Sequence, residues 1–163
     1  MPFTLKTGQR VPAIALGGLM QGEVKRVQLE TLLAGRRAVV FGVPGAFTPI
    51  CSERHAPGFI AKARMLKRTG FDLVVCIGPN DPWTMAAWAE TIDPDRQIRF
   101  LSDGNMDFGR KTGLTESHPD HFMGERLKRF VMITQDAVVQ HLGVETTIFT
   151  VSCSGADDVL MVA

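Results

Sequence analysis

The sequence is short of every feature that would assign it to a class by composition alone. Its 163 residues carry 18 Lys and Arg against 17 Asp and Glu, a net charge of +1. No single-sign field is therefore available to recruit nucleic acid or an anionic membrane. Cysteine is scarce: three residues are an odd count and too few for a secreted disulfide scaffold. There is no Cys-x-x-Cys, because Arg54 stands where the second cysteine would be. No apolar run approaches the ~20 residues that span a bilayer. The start, Met1-Pro2-Phe3-Thr4-Leu5-Lys6, lacks the basic and then apolar layout of a signal peptide. These absences set a reducing intracellular compartment, the cytoplasm, as the expected location. There is no internal repeat, linker or low-complexity segment. With 45% apolar and 21% charged residues, one globular domain over residues 1–163 is expected, with a core that needs no staples.

What is present is one unusual stretch, Val43-Pro44-Gly45-Ala46-Phe47-Thr48-Pro49-Ile50-Cys51-Ser52-Glu53-Arg54-His55. Ala38 to Val43 before it is a short apolar run of the kind that forms a buried strand, ended by Pro44-Gly45. Thr48-Pro49 reads as a helix start: the threonine hydroxyl is suited to cap an unpaired N–H, and proline at the first helical position sacrifices no bond. Cys51 then lies in the first turn, beside free backbone N–H groups and the positive end of the helix dipole. That placement favours a thiolate and makes a nucleophile of the sulfur. Pro57-Gly58 is expected to kink the helix and partly decouple the turn that bears Cys51.

The remaining chain alternates strands and helices. An extended N-terminal segment or hairpin over residues 1–22 and a short strand Val24–Gln28 lead to a helical turn, Leu29–Leu33. The Cys51 helix, with Phe59, Ile60, Ala63 and Leu66 as its apolar stripe, closes at Gly70. A second buried strand spans Leu73–Ile77. A helix from Trp83 to about Thr91 follows, with Trp83, Ala86, Ala87 and Glu90 along one side and Trp83, Met85 and Trp88 packing the core. Then come a strand Gln97–Leu101, a helix Asp107–Gly113 and a polar loop over 114–125. A hairpin pairs Arg129–Ile133 with Val138–Leu142, and a last helix covers Gly155–Met161. This order makes an α/β layered fold.

Pro44, Thr48 and Cys51 stand as Pro-x-x-x-Thr-x-x-Cys, which resembles the active-site signature of the peroxiredoxins. The longer run Pro44 to Phe59 is similar to the type 5, or plant type II, subgroup. The resemblance covers nearly the whole chain. It implies a thioredoxin-like fold, a central mixed sheet flanked by helices, with an N-terminal extension. It implies a thiol-dependent peroxidase that reduces hydrogen peroxide and organic hydroperoxides, an antioxidant enzyme of cell redox homeostasis, with no cofactor and no metal. In such an enzyme the Cys51 thiolate attacks the O–O bond and becomes a sulfenic acid. Thr48 offers its hydroxyl to the peroxide, and Pro44 shields the sulfur and holds the loop. The segment Arg126-Leu127-Lys128-Arg129-Phe130-Val131-Met132 resembles the one carrying the family's active-site arginine, which falls on Arg129. A homodimer packed through loops near the active site is implied as well.

Regeneration of Cys51 leaves two routes open. Cys76 lies in an apolar strand and reads as core. Cys153, in the polar approach to the last helix, has the spacing from Arg129 at which two-cysteine members of the subgroup carry a resolving cysteine. The flanks Phe149–Ser152 and Ala156–Leu160 are more similar to members that use an external thiol, glutathione with glutaredoxin or thioredoxin. His55, at i+4 from Cys51, shares its helix face; a structural hydrogen bond is expected rather than a metal site, since no second pair completes a tetrahedral set. His118 and His121 are expected at the surface. Rival readings from the same Cys51 are a redox sensor or interaction module that oxidises without turnover, and a thiol–disulfide oxidoreductase. An acyl hydrolase would also need an orienting Asp or Asn, and none is identifiable.

Overall fold

Alternation along one strand sets the layering. In Arg37–Gly42 (β3), Val40 points to one side of a sheet while Val39 and Phe41 point to the other, and all three are buried. A computed structural model describes residues 3–163; Met1 and Pro2, the beginning of the expected N-terminal segment, lie outside the described residues. β3 is central because it pairs in parallel with Leu73–Gly78 (β4) and antiparallel with Phe130–Gln135 (β8). The sheet extends through Arg99–Ser102 (β5) on one side and Val138–Val144 (β9) on the other. The N-terminal hairpin, Ala15–Met20 (β1) and Glu23–Gln28 (β2), joins the β5 edge. The resulting order, β2-β1-β5-β4-β3-β8-β9, is a seven-stranded mixed sheet. Gln21 and Gly22 both take positive φ, 52° and 80°, the geometry that lets a two-residue turn follow the twist of its strands.

Two cores flank the sheet. Val40, Val75, Ile77 and Met132 meet Leu29 and Leu33 of Leu29–Leu33 (α1) and Phe108 of Asp107–Thr112 (α4). Leu5, Val11 and Ile14 of the extended N-terminal segment close this layer. On the opposite face, Val39, Phe41, Cys76, Val131 and Ile133 meet three helices. They are Ala56–Arg68 (α2), Pro82–Ile92 (α3) and Ala156–Val162 (α5). Each such side chain removed from water contributes ~1.5–3 kcal/mol before the entropy of ordering is subtracted. Cys51 belongs to this second core.

Three expectations require correction. The polar loop over 114–125 contains an antiparallel pair, Thr115–His118 (β6) with Gly124–Leu127 (β7), around a short turn. Its inner residues lack apolar alternation, so pairing rests on the backbone, anchored by buried Leu114 and Leu127. On α3 the inward face carries Met85 and Trp88, while Trp83 is 60% exposed and Ala87 and Glu90 face solvent. Asp81 caps the helix by accepting from Thr84 N at 2.8 Å, and Trp83 turns out to water. His118 is half-buried rather than fully exposed: its side chain is 13% exposed, with Nε2 3.6 Å from Glu116. His121 is exposed as expected.

Candidate active site

The helix that carries Cys51 does not begin as an ordinary α-helix. Cys51–His55 form a wide π-turn, closed by Ala56 N–H donating to the Cys51 carbonyl, before α-geometry takes over at Ala56. The cause lies two residues further on. Pro57 has no N–H for the Glu53 carbonyl and its ring crowds that turn, so the helix widens where a kink was expected. Trp88 Nε1 donates to Ser52 Oγ at 2.9 Å and pins the turn to α3. The Cys51 side chain itself is fully buried.

Thr48 does not act as the expected N-cap. Its hydroxyl donates to the Gly45 carbonyl at 2.6 Å, and it is the Thr48 carbonyl that accepts from Ser52 N at 3.0 Å. Spending that proton on Gly45 fixes the rotor and leaves the oxygen lone pairs as acceptors. Pro44 is buried at the foot of the same loop. The loop is tied down by Ala46 N donating to Asn80 Oδ1 at 2.8 Å and by Arg126, whose Nε donates to the Met123 carbonyl at 2.7 Å. Arg126 Nη1 lies 3.5 Å from the Pro44 carbonyl.

Arg129 is the second focus. It sits immediately before β8, next to the central strand, and is only 2% exposed. Its guanidinium reaches three partners. Nη2 donates to Cys51 Sγ at 3.2 Å, Nη1 to His55 Nδ1 at 2.9 Å, and Nε and Nη2 to the Ile148 carbonyl at 3.1 and 2.9 Å. Because a guanidinium only donates, His55 Nδ1 is the acceptor and the ring proton sits on Nε2. Nε2 then donates to the Ser154 carbonyl at 2.8 Å. Burial, together with the Arg129 charge, lowers the His55 pKa from 6.5 to about 3, so the ring is neutral. Phe41 and Phe59 pack around it, their ring centres 5.0 and 5.7 Å away. His55 thus has the structural hydrogen-bonding role expected of it.

The two remaining thiols differ from Cys51. Cys76 is buried in β4, and burial, then the nearby Cys51, pushes its thiol well above the ordinary value. Cys153 is partly exposed, and all three cysteines are free. Burial and the Glu145 carboxylate push the Cys153 thiol up to about 11. Glu145 escaped the sequence reading altogether. Its carboxylate accepts from the backbone N–H groups of Ser152, Cys153 and Ser154 and from the hydroxyls of Ser152 and Ser154, at 2.6–3.0 Å. Burial alone would raise its pKa, but these donors outweigh it and lower the value from 4.5 to about 2. Only a lone acid a few residues before a Ser-rich turn hinted at it, a pattern too common to single out.

A buried thiol, an arginine fork aimed at its sulfur and the Pro44–Thr48 loop therefore converge at one place. Comparison with known proteins decides the family. The redoxin family model matches residues 6–160. The chain belongs to the redoxin family, as a peroxiredoxin. It is 40% identical to peroxiredoxin-2B of Arabidopsis thaliana over 139 residues, 85% of each chain. It is equally identical to the chloroplastic peroxiredoxin-2E-2 of Oryza sativa subsp. japonica over 147 residues, 87% of this chain but 65% of that longer one. Among solved structures, reduced Prx3 from Vibrio vulnificus in complex with H2O2 superposes with a TM-score of 0.92 at 35% identity, covering 98% of this chain and 99% of that one. This peroxiredoxin is accordingly a thiol-dependent peroxidase, an oxidoreductase.

Proposed function

We propose that Cys51 is the peroxide-attacking residue, and the observation that carries the reading is the 3.2 Å contact from Arg129 Nη2 to its sulfur. A buried guanidinium needs a counter-charge, and a thiolate at Cys51 supplies it. The thiolate attacks one peroxide oxygen and the O–O bond breaks. Sulfur is oxidised to a sulfenic acid, while the other oxygen leaves as hydroxide or alkoxide and takes up a proton as water or alcohol. Arg129 donates to the oxygen on which charge grows, already aimed and needing no reorganisation. Thr48 accepts the peroxide O–H through lone pairs that Gly45 has oriented. Pro44 walls the sulfur from water. The Vibrio protein with H2O2 bound supports hydrogen peroxide as a substrate; organic hydroperoxides are proposed on the family likeness.

The reductant is proposed to be an external thiol, glutathione with glutaredoxin or thioredoxin, rather than Cys153. Supporting this are the raised Cys153 thiol and its backbone N–H, held by Glu145 at 2.8 Å. A reducing compartment, the cytoplasm, is the proposed setting, and a homodimer the proposed assembly. The test is intact-mass and peptide analysis of reduced protein after one equivalent of hydrogen peroxide. One oxygen gained on Cys51, absent in Cys51→Ser, is expected. Failure of Cys51 to react within seconds would sink the peroxidase role for this residue. A Cys51–Cys153 cross-link in the wild type would reassign the resolving step.

A further inference from the structure

One path of hydrogen bonds from Arg129, through His55 and Ser154, leads to the Glu145 carboxylate. Glu145 follows β9, and its backbone N–H donates to the Arg129 carbonyl at 2.9 Å. Its side chain grips residues 152–154 through three backbone N–H groups and two hydroxyls, the shortest from Ser154 Oγ at 2.6 Å and Ser152 Oγ at 2.7 Å. The carbonyl of the gripped Ser154 receives His55 Nε2–H, and His55 Nδ1 receives Arg129 Nη1–H. The ring closes where the same guanidinium meets Cys51. Glu145 is itself 5% exposed. Its neighbour in space is equally constrained, since a Cβ on Gly143 would meet the Cys153 carbonyl.

We propose that Glu145 is a clasp with two opposed effects: it positions Arg129 on Cys51 through Ser154 and His55, and it withholds Cys153 from the Cys51 sulfenic acid. The proposal rests on the reading of Cys51 as the attacking thiol. The segment that carries Cys153 also carries the Ser154 carbonyl, so it cannot leave to meet Cys51 without releasing His55. Glu145 touches neither substrate nor sulfur; it acts as a positioning residue.

The withheld step balances without any further reagent. The Cys153 thiol attacks the sulfenic sulfur, an S–S bond forms, the S–O bond breaks, and the hydroxyl leaves as water with the thiol proton. Loosening the clasp therefore slows the first step and speeds the second. Destabilisation that leaves the 152–154 turn in place would not speed the second. Loss of a negative charge near Arg129 would, by simple electrostatics, favour the Cys51 thiolate and raise the first rate.

Glu145→Gln and the milder Ser154→Ala test this by stopped-flow peroxide reaction and mass analysis of the product. Expected for Glu145→Gln is a ~10-fold or larger fall in the peroxide rate together with a Cys51–Cys153 disulfide, where the wild type holds a sulfenic acid. Ser154→Ala should shift both in the same directions by less, and serves alone if the Gln variant does not fold. A wild-type peroxide rate, a raised one, or a fall with no gain in disulfide each overturns the proposal. A wild type in which Cys51 does not react overturns the underlying assignment instead, and Cys51→Ser run in parallel distinguishes the two.

Discussion

A single guanidinium nitrogen is shared between the Ile148 carbonyl and the Cys51 sulfur, so the geometry at Arg129 depends on the whole planar fork. Lysine keeps the charge but offers one ammonium that cannot hold His55, Ile148 and Cys51 together. Arg129→Lys should therefore lower the second-order rate with hydrogen peroxide by about 100-fold, the cost of one preorganised donor, measured by competition with a second peroxidase. A rate within a factor of about three would show that charge alone suffices. His55 contributes differently, through stability. The unfolded chain protonates this ring near 6.5, whereas in the fold its pKa is about 3. Between these values the unfolded state binds the extra proton, so this contribution is fully present above 6.5 and is lost as pH falls toward 3, at up to about 1.4 kcal/mol per pH unit. Glu145 acts in the same sense between 4.5 and about 2. Asp103, raised by burial from 3.8 to about 6, acts in the opposite sense, its contribution present below 3.8 and lost as pH rises through about 6. His55→Asn should therefore be less stable than wild type at about pH 7, with the gap narrowing toward about pH 4, in denaturant melts. A constant gap would mean that the ring is not held neutral.

At the scale of elements, the π-turn decides where Cys51 faces. Pro57→Ala restores the N–H that a regular helix would bond to the Glu53 carbonyl, removing the reason for the wide turn of Cys51–His55. Helix propensity rises at that position, but Cys51 and His55 rotate relative to Arg129. The expected result is an unchanged or higher melting temperature with a peroxide rate down about 10-fold, as when strain is kept for function. If the rate holds, the widening is incidental. How far such features were legible depends on whether their cause is local. Pro44, Thr48, Cys51 and Pro57 lie within 14 residues, and there the candidate nucleophile and the disturbed helix could be read directly. Arg129 came only through family resemblance, because nothing local marks one cation among 18. Glu145 was invisible, since what makes it special is a turn that brings residues 152–154 around its carboxylate. The face of α3 was misjudged because residue types suggested its phase while the Asp81 cap and packing under Trp88 fixed it. The central strands β3, β4 and β8 were legible because burial on both faces leaves continuous apolar runs; β6 and β7 have no such signature.

For the molecule as a whole, the exposed aromatics other than Phe3 are not scattered. Phe47, Trp83, Phe122 and Phe149 are 54%, 60%, 97% and 50% exposed, and the segments bearing them meet around the Cys51 loop. Ala46 bonds Asn80 just before α3, Gly45 lies against Met123 and Arg126, and the ring of His121 packs on Phe149 at 5.0 Å. Phe47 and Phe122 also take positive φ, 62° and 55°, a conformation that costs a bulky residue ~1–2 kcal/mol. Two strained backbones that present phenyl rings to water are uneconomical for a monomer, but they suit a surface that a second copy covers. The proposed homodimer would thus bury the rim of the site and hold the Pro44–Thr48 loop. Trp83→Glu with Phe122→Ser should convert a dimer to a monomer in sedimentation at micromolar concentration. It should also slow the peroxide reaction, because the freed loop loses the support that aims Thr48. Cys51 reactivity unchanged in a proven monomer would separate assembly from catalysis, and a monomeric wild type would remove the dimer from the proposal.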